Sequence, residues 1–268
     1  MRRLADLPFL VILMGIGALA MFPPVVLALA ERDWETARAF FNSGLLFFVL
    51  AVLIGLSTIN RPVQNQARSH LLAMLGFYTL LPLMLAVPVS EAVGDTSFLN
   101  AYFEMVSCLT TTGATLFDSP ERLSPGVHLW RATVGWLGGF FVWVTAIAIL
   151  APMNLGGFEV TAGTGGIAGR IGSERGEVSP AHDPRERLLR FAHQLAPVYI
   201  GLTATLWVLM VVAGEGPLVA ACHAMSVLST SGISPVGGVA GGQSGVPGEI
   251  MLWGFMVFAI SRQMFMLD

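Results

Sequence analysis

Six long apolar stretches constrain the fold of this chain more than any other feature. Hydropathy places them at about residues 8–30, 39–59, 69–89, 127–150, 191–213 and 250–267. A helix that crosses a bilayer needs roughly 20 apolar residues. The first five stretches meet this length, whereas the sixth is marginal and contains Arg262. Because 54% of the residues are hydrophobic and only 12% are charged, against roughly 25% charged in soluble domains, the sequence predicts an all-α integral membrane protein.

The first stretch has two interpretations. Arg2 and Arg3 precede an apolar run that ends in small residues, as in a signal peptide. The run is longer than the roughly 7–15 residues of a signal-peptide core, however, and Pro23-Pro24 interrupts it. Its length favours a retained transmembrane helix.

The arginines predict the orientation, since they concentrate in cytoplasmic segments. The N-terminus and segments 60–68 and 151–190 are rich in arginine and are predicted to be cytoplasmic. Segments 90–126 and 214–249 are acidic and are predicted to be external. Segment 31–38 fits least well, because it places two arginines outside among three acids.

Charge and reactive residues exclude several classes of protein. The formal net charge of −3 provides no basic surface for a nucleic acid. Cys108 and Cys222 lie in apolar contexts and match no metal-binding spacing. No cluster of Asp, Glu or His lies within the apolar stretches. We therefore expect no enzyme, no bound cofactor and no nucleic-acid partner.

Both external segments contain an apolar run that is too short to span a bilayer. The runs are Phe98–Leu109 and Pro217–Leu228, and each is followed by hydroxylated residues and a glycine. Apolar segments of this length are typical of re-entrant helices. Non-helical backbone at membrane depth is tolerated only where it is buried in protein or lines a wet cavity. The order helix, re-entrant helix, loop, helix thus occurs twice.

The two units are an internal repeat. Alignment of Gly113 with Gly232 pairs residues 103–113 (FEMVSCLTTTG) with residues 222–232 (CHAMSVLSTSG). Ser, Leu, Thr and Gly are identical at their aligned positions, and two further Thr residues align with Ser. Two related units that face the same side predict a pseudo-rotational axis along the membrane normal.

The chemistry of the repeated loop points to cations. Potassium filters replace the hydration shell of the ion with backbone carbonyls, and the C-terminus of a short helix contributes about half a negative charge. The predicted ion contacts are the carbonyls of Thr111, Thr112, Gly113, Thr230, Ser231 and Gly232. An acidic outer vestibule would concentrate cations through Glu91, Asp95, Asp118 and Glu121. The simpler alternative, a polar turn, does not explain two copies.

Two charged residues lie at membrane depth, where a charge needs a partner or water. Glu104 belongs to the first short helix and Arg131 to the following apolar stretch. They either pair and support the filter from behind, or each reaches the interface independently. In the same stretch Gly135, Gly138 and Gly139 predict close helix packing, with a bend as the alternative.

These residues resemble a known family, the Trk/Ktr-type potassium transporters, and in particular their TrkH/KtrB-like membrane subunits. The first pore repeat of that family is similar to Phe103-Glu104 through Thr111-Thr112-Gly113-Ala114-Thr115, followed by Leu129-Trp130-Arg131 and Gly135-Trp136-Leu137-Gly138-Gly139. The second is similar to His223-Ala224-Met225-Ser226 through Ser229-Thr230-Ser231-Gly232. The likeness covers most of the chain.

The resemblance implies potassium uptake across a bacterial cytoplasmic membrane. It implies a pore of four helix–pore-loop–helix repeats with one filter glycine each, preceded by two extra transmembrane helices. It also implies a homodimer and a cytosolic nucleotide-binding regulatory partner of the TrkA/KtrA kind. The glycine-rich run from Gly163 to Gly169 would then be a mobile cytoplasmic loop that docks this partner.

The chain departs from the family in holding two repeats instead of four. We divide it into an N-terminal helix pair at 1–68, a first pore repeat at 69–152, a cytoplasmic loop at 153–186 and a second, shortened repeat at 187–268. The simplest interpretation is a truncated chain that lacks the C-terminal repeats. A half-size subunit that pairs with a second copy is the alternative. A proton- or sodium-coupled symporter and a non-conducting bundle are the alternative functions.

Overall fold

Helices make up the regular structure of the described residues. The computed structural model describes residues 9–58, 75–145 and 184–260. The predictions for segment 60–68, the cytoplasmic loop and Arg262 lie outside these ranges. In chain order the helices are α1 Phe9–Ala20, α2 Phe22–Ala30, α3 Trp34–Thr58, α4 Leu81–Ala92, α5 Phe98–Leu109, α6 Pro125–Thr145, α7 Pro184–Val212, α8 Pro217–Leu228 and α9 Gly245–Ile260. The predicted all-α membrane fold is confirmed.

Four helical stretches of the described residues are long and apolar enough to cross a membrane. They are Leu10–Ala30, which combines most of α1 with α2, Trp34–Thr58, which is α3, Leu75–Ala92, which ends with α4, and Arg190–Val212 within α7. Helices α5 and α8 are the predicted short apolar helices, and their bounds match the prediction at both ends. Within its described residues α9 is also a short apolar helix.

The helix ends differ from the hydropathy prediction where polar residues or prolines decide them. The first stretch is interrupted at Met21, not at Pro23-Pro24, because both prolines fit the first turn of α2, where no N–H partner is needed. Helix α3 begins at Trp34, five residues before the predicted start, because Asp33 Oδ1 accepts the Thr36 N–H at 3.1 Å.

Three other stretches also have ends that differ from the hydropathy prediction. The third stretch continues to Ala92 and has a turn at Leu80. The fifth and sixth stretches begin earlier than predicted, at Pro184 and Gly245, since polar and glycine residues that lower the hydropathy average still extend a helix.

The buried residues form two main clusters, one for each repeat. The first joins α1 to α6 around Trp130, which is fully buried. The Trp130 indole packs edge-on against Phe40 with ring centroids 5.6 Å apart, and its N–H donates to the Leu85 carbonyl at 3.2 Å. The second cluster joins α7, α8 and α9 around Tyr199, Leu206 and Leu228. Each repeat thus packs its own short helix between longer ones.

Helix α6 connects the two clusters through its glycine face. A methyl group on Gly138 would overlap the Leu109 carbonyl at the end of α5. A methyl group on Gly139 would lie 2.7 Å from Ser229 Cβ, just after α8. The ends of both short helices therefore touch consecutive residues of one helix, and the predicted close packing is confirmed.

We expect Gly138→Ala to lower the stability of the protein, because the helix must move away from Leu109 to admit the methyl group. Overpacking of this kind costs about 1–3 kcal/mol. The measurement is the unfolding temperature of the purified protein in detergent. Gly201→Ala in α7 is the matched control, since no atom lies within 4 Å of its added methyl group. Equal losses in both variants would contradict the close contact.

Candidate functional site

The loops that follow α5 and α8 have the same hydrogen-bond pattern. In the first, Thr111 N donates to Cys108 O at 3.0 Å and Thr112 N to Ser107 O at 2.9 Å. In the second, Thr230 N donates to Val227 O at 3.1 Å and Ser231 N to Ser226 O at 3.0 Å. Both loops therefore fold back onto the C-terminal carbonyls of their own short helices.

This fold-back places two residues of each loop in the left-handed region. Thr111 and Thr230 have φ of 56° and 53°, and Gly113 and Gly232 both have φ of 70°. The conformation is costly for a β-branched residue, so the surrounding contacts must hold it. Glycine adopts it without a steric cost. The left-handed conformation therefore explains why each repeat motif ends in a glycine.

The hydroxyl groups of the two loops also match. Thr110 Oγ1 donates to Val106 O and Ser229 Oγ to Met225 O, both at 2.8 Å. The same hydroxyl groups contact the Thr112 Oγ1 and Ser231 Oγ atoms two residues later, at 2.8 Å and 3.0 Å. The small polar side chains of the motif thus hold the loop to the end of its helix.

The two loops lie against each other. A methyl group on Gly113 would overlap the Ser231 carbonyl, which places the first loop in contact with the second. Between them is a pocket of about 370 Å³. Its lining comes from both loops and from α6, and comprises Gly113, Thr115, Phe117, Asp118, Pro120, Leu123, Arg131, Gly232, Ile233, Ser234, Gly237 and Gly238.

The six predicted carbonyls have no hydrogen-bond donor within the described ranges. These are the carbonyls of Thr111, Thr112, Gly113, Thr230, Ser231 and Gly232. In a trans peptide the C=O points opposite to the following N–H. Because the N–H groups of Thr112 and Ser231 point back to their helices, the Thr111 and Thr230 carbonyls point away from them. A carbonyl oxygen without a hydrogen bond needs another partner. This backbone is therefore suited to a ligand that oxygen atoms can coordinate, such as a cation.

A buried ion pair supports the first loop. Glu104 is fully buried, and its Oε1 binds Arg131 at 2.6 Å. Its Oε2 accepts the Leu116 N–H at 3.1 Å and the Thr115 hydroxyl at 3.3 Å. The carboxylate therefore connects α5, α6 and the segment just after Gly113. Of the two alternatives for Glu104 and Arg131, the structure shows the pair.

The second loop has a histidine–serine hydrogen bond at the equivalent place, which the sequence analysis did not find. His223 aligns with Glu104, and its Nε2 lies 2.9 Å from Ser234 Oγ. Ser234 aligns with Thr115, and each of these hydroxyls accepts the backbone N–H two residues later at 3.2 Å. The alignment of Glu104 with His223 could have indicated this equivalent role, but the two side chains differ in charge and in shape.

Glu215, between α7 and α8, is a second residue that the sequence analysis missed. Its side chain accepts the Ser244 hydroxyl at 2.8 Å and the N–H groups of Gly216, Gln243 and Ser244. Burial would raise the pKa of this carboxyl, but the hydrogen bonds hold the pKa below its ordinary value of 4.5. Glu215 thus fastens the start of the segment after α7 to the residues just before α9.

The predicted acidic vestibule is only partly assembled at the pocket. Asp118 lines it. Asp95 instead pairs with Arg122 at 2.8 Å on the exposed surface, where the charge of the aspartate is neutralised. Glu91 and Glu121 are exposed and do not belong to the pocket lining.

Fold and site together define a membrane protein built from helix–pore-loop–helix repeats. The chain is 31% identical over 241 residues to the Trk system potassium uptake protein TrkI of Halomonas elongata, an alignment that covers 87% of this chain and 45% of the relative. It is 26% identical over 227 residues to the Trk system potassium uptake protein TrkH of Vibrio parahaemolyticus, which covers 83% and 44%. No protein-family model matches the chain.

A solved structure has the same fold. The fold matches the crystal structure of the potassium transporter TrkH from Vibrio parahaemolyticus with a TM-score of 0.76 and 22% identity, covering 96% of this chain and 50% of that one. The chain is therefore related to the Trk-type potassium transporters, as its motifs indicate. It spans about half the length of the curated relatives it matches. These relatives are transport proteins and not enzymes.

We expect Glu104→Gln to destabilise the protein more than the double variant Glu104→Gln/Arg131→Met. The single change leaves a buried guanidinium without its counter-charge, which costs about 3–5 kcal/mol. The double change removes both charges and keeps an acceptor for Leu116. Unfolding temperatures in detergent measure both losses. A double variant that is as unstable as the sum of the two single variants would show that the charges are not coupled.

We expect Glu215→Gln to loosen the segment before α9, read as faster hydrogen exchange of the Gln243 and Ser244 amides. Because the folded pKa of Glu215 is lowered, the protection is complete above the ordinary pKa of about 4.5 and is lost as the pH falls through the lower folded value. Glu249→Gln is the control, since Glu249 is exposed. Unchanged protection at Ser244 in Glu215→Gln would contradict this role.

Proposed function

We propose that this chain forms part of a potassium-conducting pore in a bacterial cytoplasmic membrane, with the two loops after α5 and α8 as part of its selectivity filter. One observation carries the proposal: the six unpartnered carbonyls lie on two loops that contact each other beside a shared pocket. The names of the relatives, which are potassium uptake proteins, support the same function.

The physics of this arrangement favours a monovalent cation. Carbonyl oxygens replace the water that potassium leaves behind, without the strong field of a carboxylate. The short helices α5 and α8 end at the loops, so their negative dipole ends face the same region. Asp118 adds a negative charge at the pocket.

Two loops supply only part of a ring of carbonyls around an ion. The proposed pore is therefore completed by further repeats or by a second copy of this chain. By likeness to the family, we further propose a homodimer with a cytosolic nucleotide-binding regulator of the TrkA/KtrA kind. The arginine distribution supports a cytoplasmic N-terminus.

No described carboxylate favours the alternative of a proton- or sodium-coupled symporter. Such a mechanism needs an ionisable group that changes its state within the membrane. Of the buried carboxylates in the described ranges, Glu104 is neutralised by Arg131, and Glu215 is held by the external segment. Passive conduction through the carbonyl loops needs neither group to change its charge.

We expect Gly113→Ala to abolish potassium uptake and Gly232→Ala to reduce its selectivity over sodium. Alanine at either position must adopt a left-handed φ, which costs about 1–2 kcal/mol. At Gly113 the methyl group also overlaps the Ser231 carbonyl, whereas at Gly232 no atom lies within 4 Å. The measurement is growth on limiting potassium and uptake of radioactive rubidium by cells that lack their own potassium uptake systems and express the complete gene.

Gly201→Ala in α7 is the matched control and should transport normally, because its added methyl group meets no atom. Western blots of membranes separate a loss of transport from a loss of protein. Normal rubidium uptake and normal selectivity in Gly113→Ala would refute the filter assignment.

A further inference from the structure

A side-chain hydrogen bond joins the backbone just after Gly232 to the short helix α8. His223 is on α8, and Ser234 lies two residues after Gly232. The atoms His223 Nε2 and Ser234 Oγ are 2.9 Å apart. This contact corresponds, under the alignment of Gly113 with Gly232, to the contact between Glu104 and Thr115 in the first loop.

The Ser234 hydroxyl organises the backbone that follows the glycine. It accepts the N–H of Val236 at 3.2 Å and the N–H of Gly238 at 3.0 Å. A hydroxyl has two acceptor sites and one proton. The hydroxyl also donates to Gly238 O at 3.3 Å, and it lies 2.9 Å from His223 Nε2.

The two ring nitrogens of the histidine have different surroundings. Nε2 shares a hydrogen bond with Ser234 Oγ, in which the donor is set by the tautomer of the ring. His223 is only 3% exposed, and Nδ1 has no hydrogen-bond partner among the described residues. Burying a polar atom without a partner destabilises a protein. Only one of the two ring nitrogens of His223 has a hydrogen bond among the described residues, so the contact between Nε2 and Ser234 explains why a histidine is buried here.

We propose that His223 is a positioning residue for the second pore loop, which it holds through Ser234 as Glu104 holds the first loop through Thr115 and Leu116. The inference rests on the proposed function of the loops as a filter. Ser231 and Gly232 provide carbonyls to that filter, and their distance from an ion depends on how firmly the backbone just after them is fixed. The first loop is held by a carboxylate and the second by a histidine.

The test compares three substitutions in cells that express the complete gene. His223→Leu introduces an apolar side chain of similar size and removes the Nε2 atom that bonds to Ser234. His223→Gln places an amide oxygen near the former Nε2 position. Ser234→Ala removes only the hydroxyl oxygen from the other side. His193→Leu in α7 is the control, because His193 is exposed and far in sequence from both loops.

The readout is the sodium concentration that halves rubidium uptake, alongside the amount of protein in the membrane. We expect His223→Leu to lower this concentration by about three- to tenfold, the effect of losing one hydrogen bond. Ser234→Ala should lower it at least as much, because it also removes the acceptor of the Val236 and Gly238 N–H groups. We expect His223→Gln to recover most of the difference. The double variant His223→Leu/Ser234→Ala should be no worse than Ser234→Ala alone, since the His223 change then removes no further bond to Ser234.

Unchanged sodium competition in Ser234→Ala, or a Gln variant as poor as the Leu variant, would overturn the proposal. If His223→Leu does not reach the membrane, Ser234→Ala decides the question alone. Normal rubidium uptake and normal selectivity in Gly113→Ala would refute the filter itself. Lost uptake in Gly113→Ala and altered selectivity in Gly232→Ala, with unchanged sodium competition in the His223 and Ser234 variants, would refute only the role of His223.

Discussion

The return of each pore loop onto the end of its own helix is the interaction on which the rest of the site depends. The last carbonyls of α5 and α8 have no partner within the helix and accept the N–H groups of the next residues instead. This turns Thr111 and Thr230 into the left-handed region and directs the next carbonyls away from the helix. The site thus obtains free oxygens by using its N–H groups as helix caps.

Such a backbone is costly, and the protein offsets the cost with contacts behind each loop. In the first repeat the contact is a carboxylate that is itself neutralised by Arg131, since a single buried charge would not be tolerated. In the second repeat it is a hydrogen bond between a histidine and a serine. Equivalent positions of the repeat therefore perform one structural task with different chemistry, as separate optimisation of two related units would produce.

Helix α6 forms a wall that is shared by both loops. Its consecutive glycines Gly138 and Gly139 admit the ends of α5 and α8, and a methyl group on Gly135 would lie 2.7 Å from Ile233 Cδ1 of the second loop. On the next face, the Trp136 indole ring stacks on Tyr199, and its N–H donates to Thr203 Oγ1 at 2.9 Å. Small residues thus set how near the loops lie, and aromatic residues fix α6 against α7.

The sequence by itself determined the all-helical membrane class, the two short helices and the repeat, because these follow from apolar length and from local motifs. It misplaced the break near Met21 and the start of α3, since hydropathy averages do not register prolines in a first turn or a capping aspartate. Only the tertiary structure decided that Glu104 and Arg131 pair, that Gly113 touches Ser231, and that His223 and Glu215 hold the backbone after α8 and before α9. These contacts join residues that lie far apart in the chain or on opposite sides of a loop, and they depend on how helices approach each other, which no local pattern encodes.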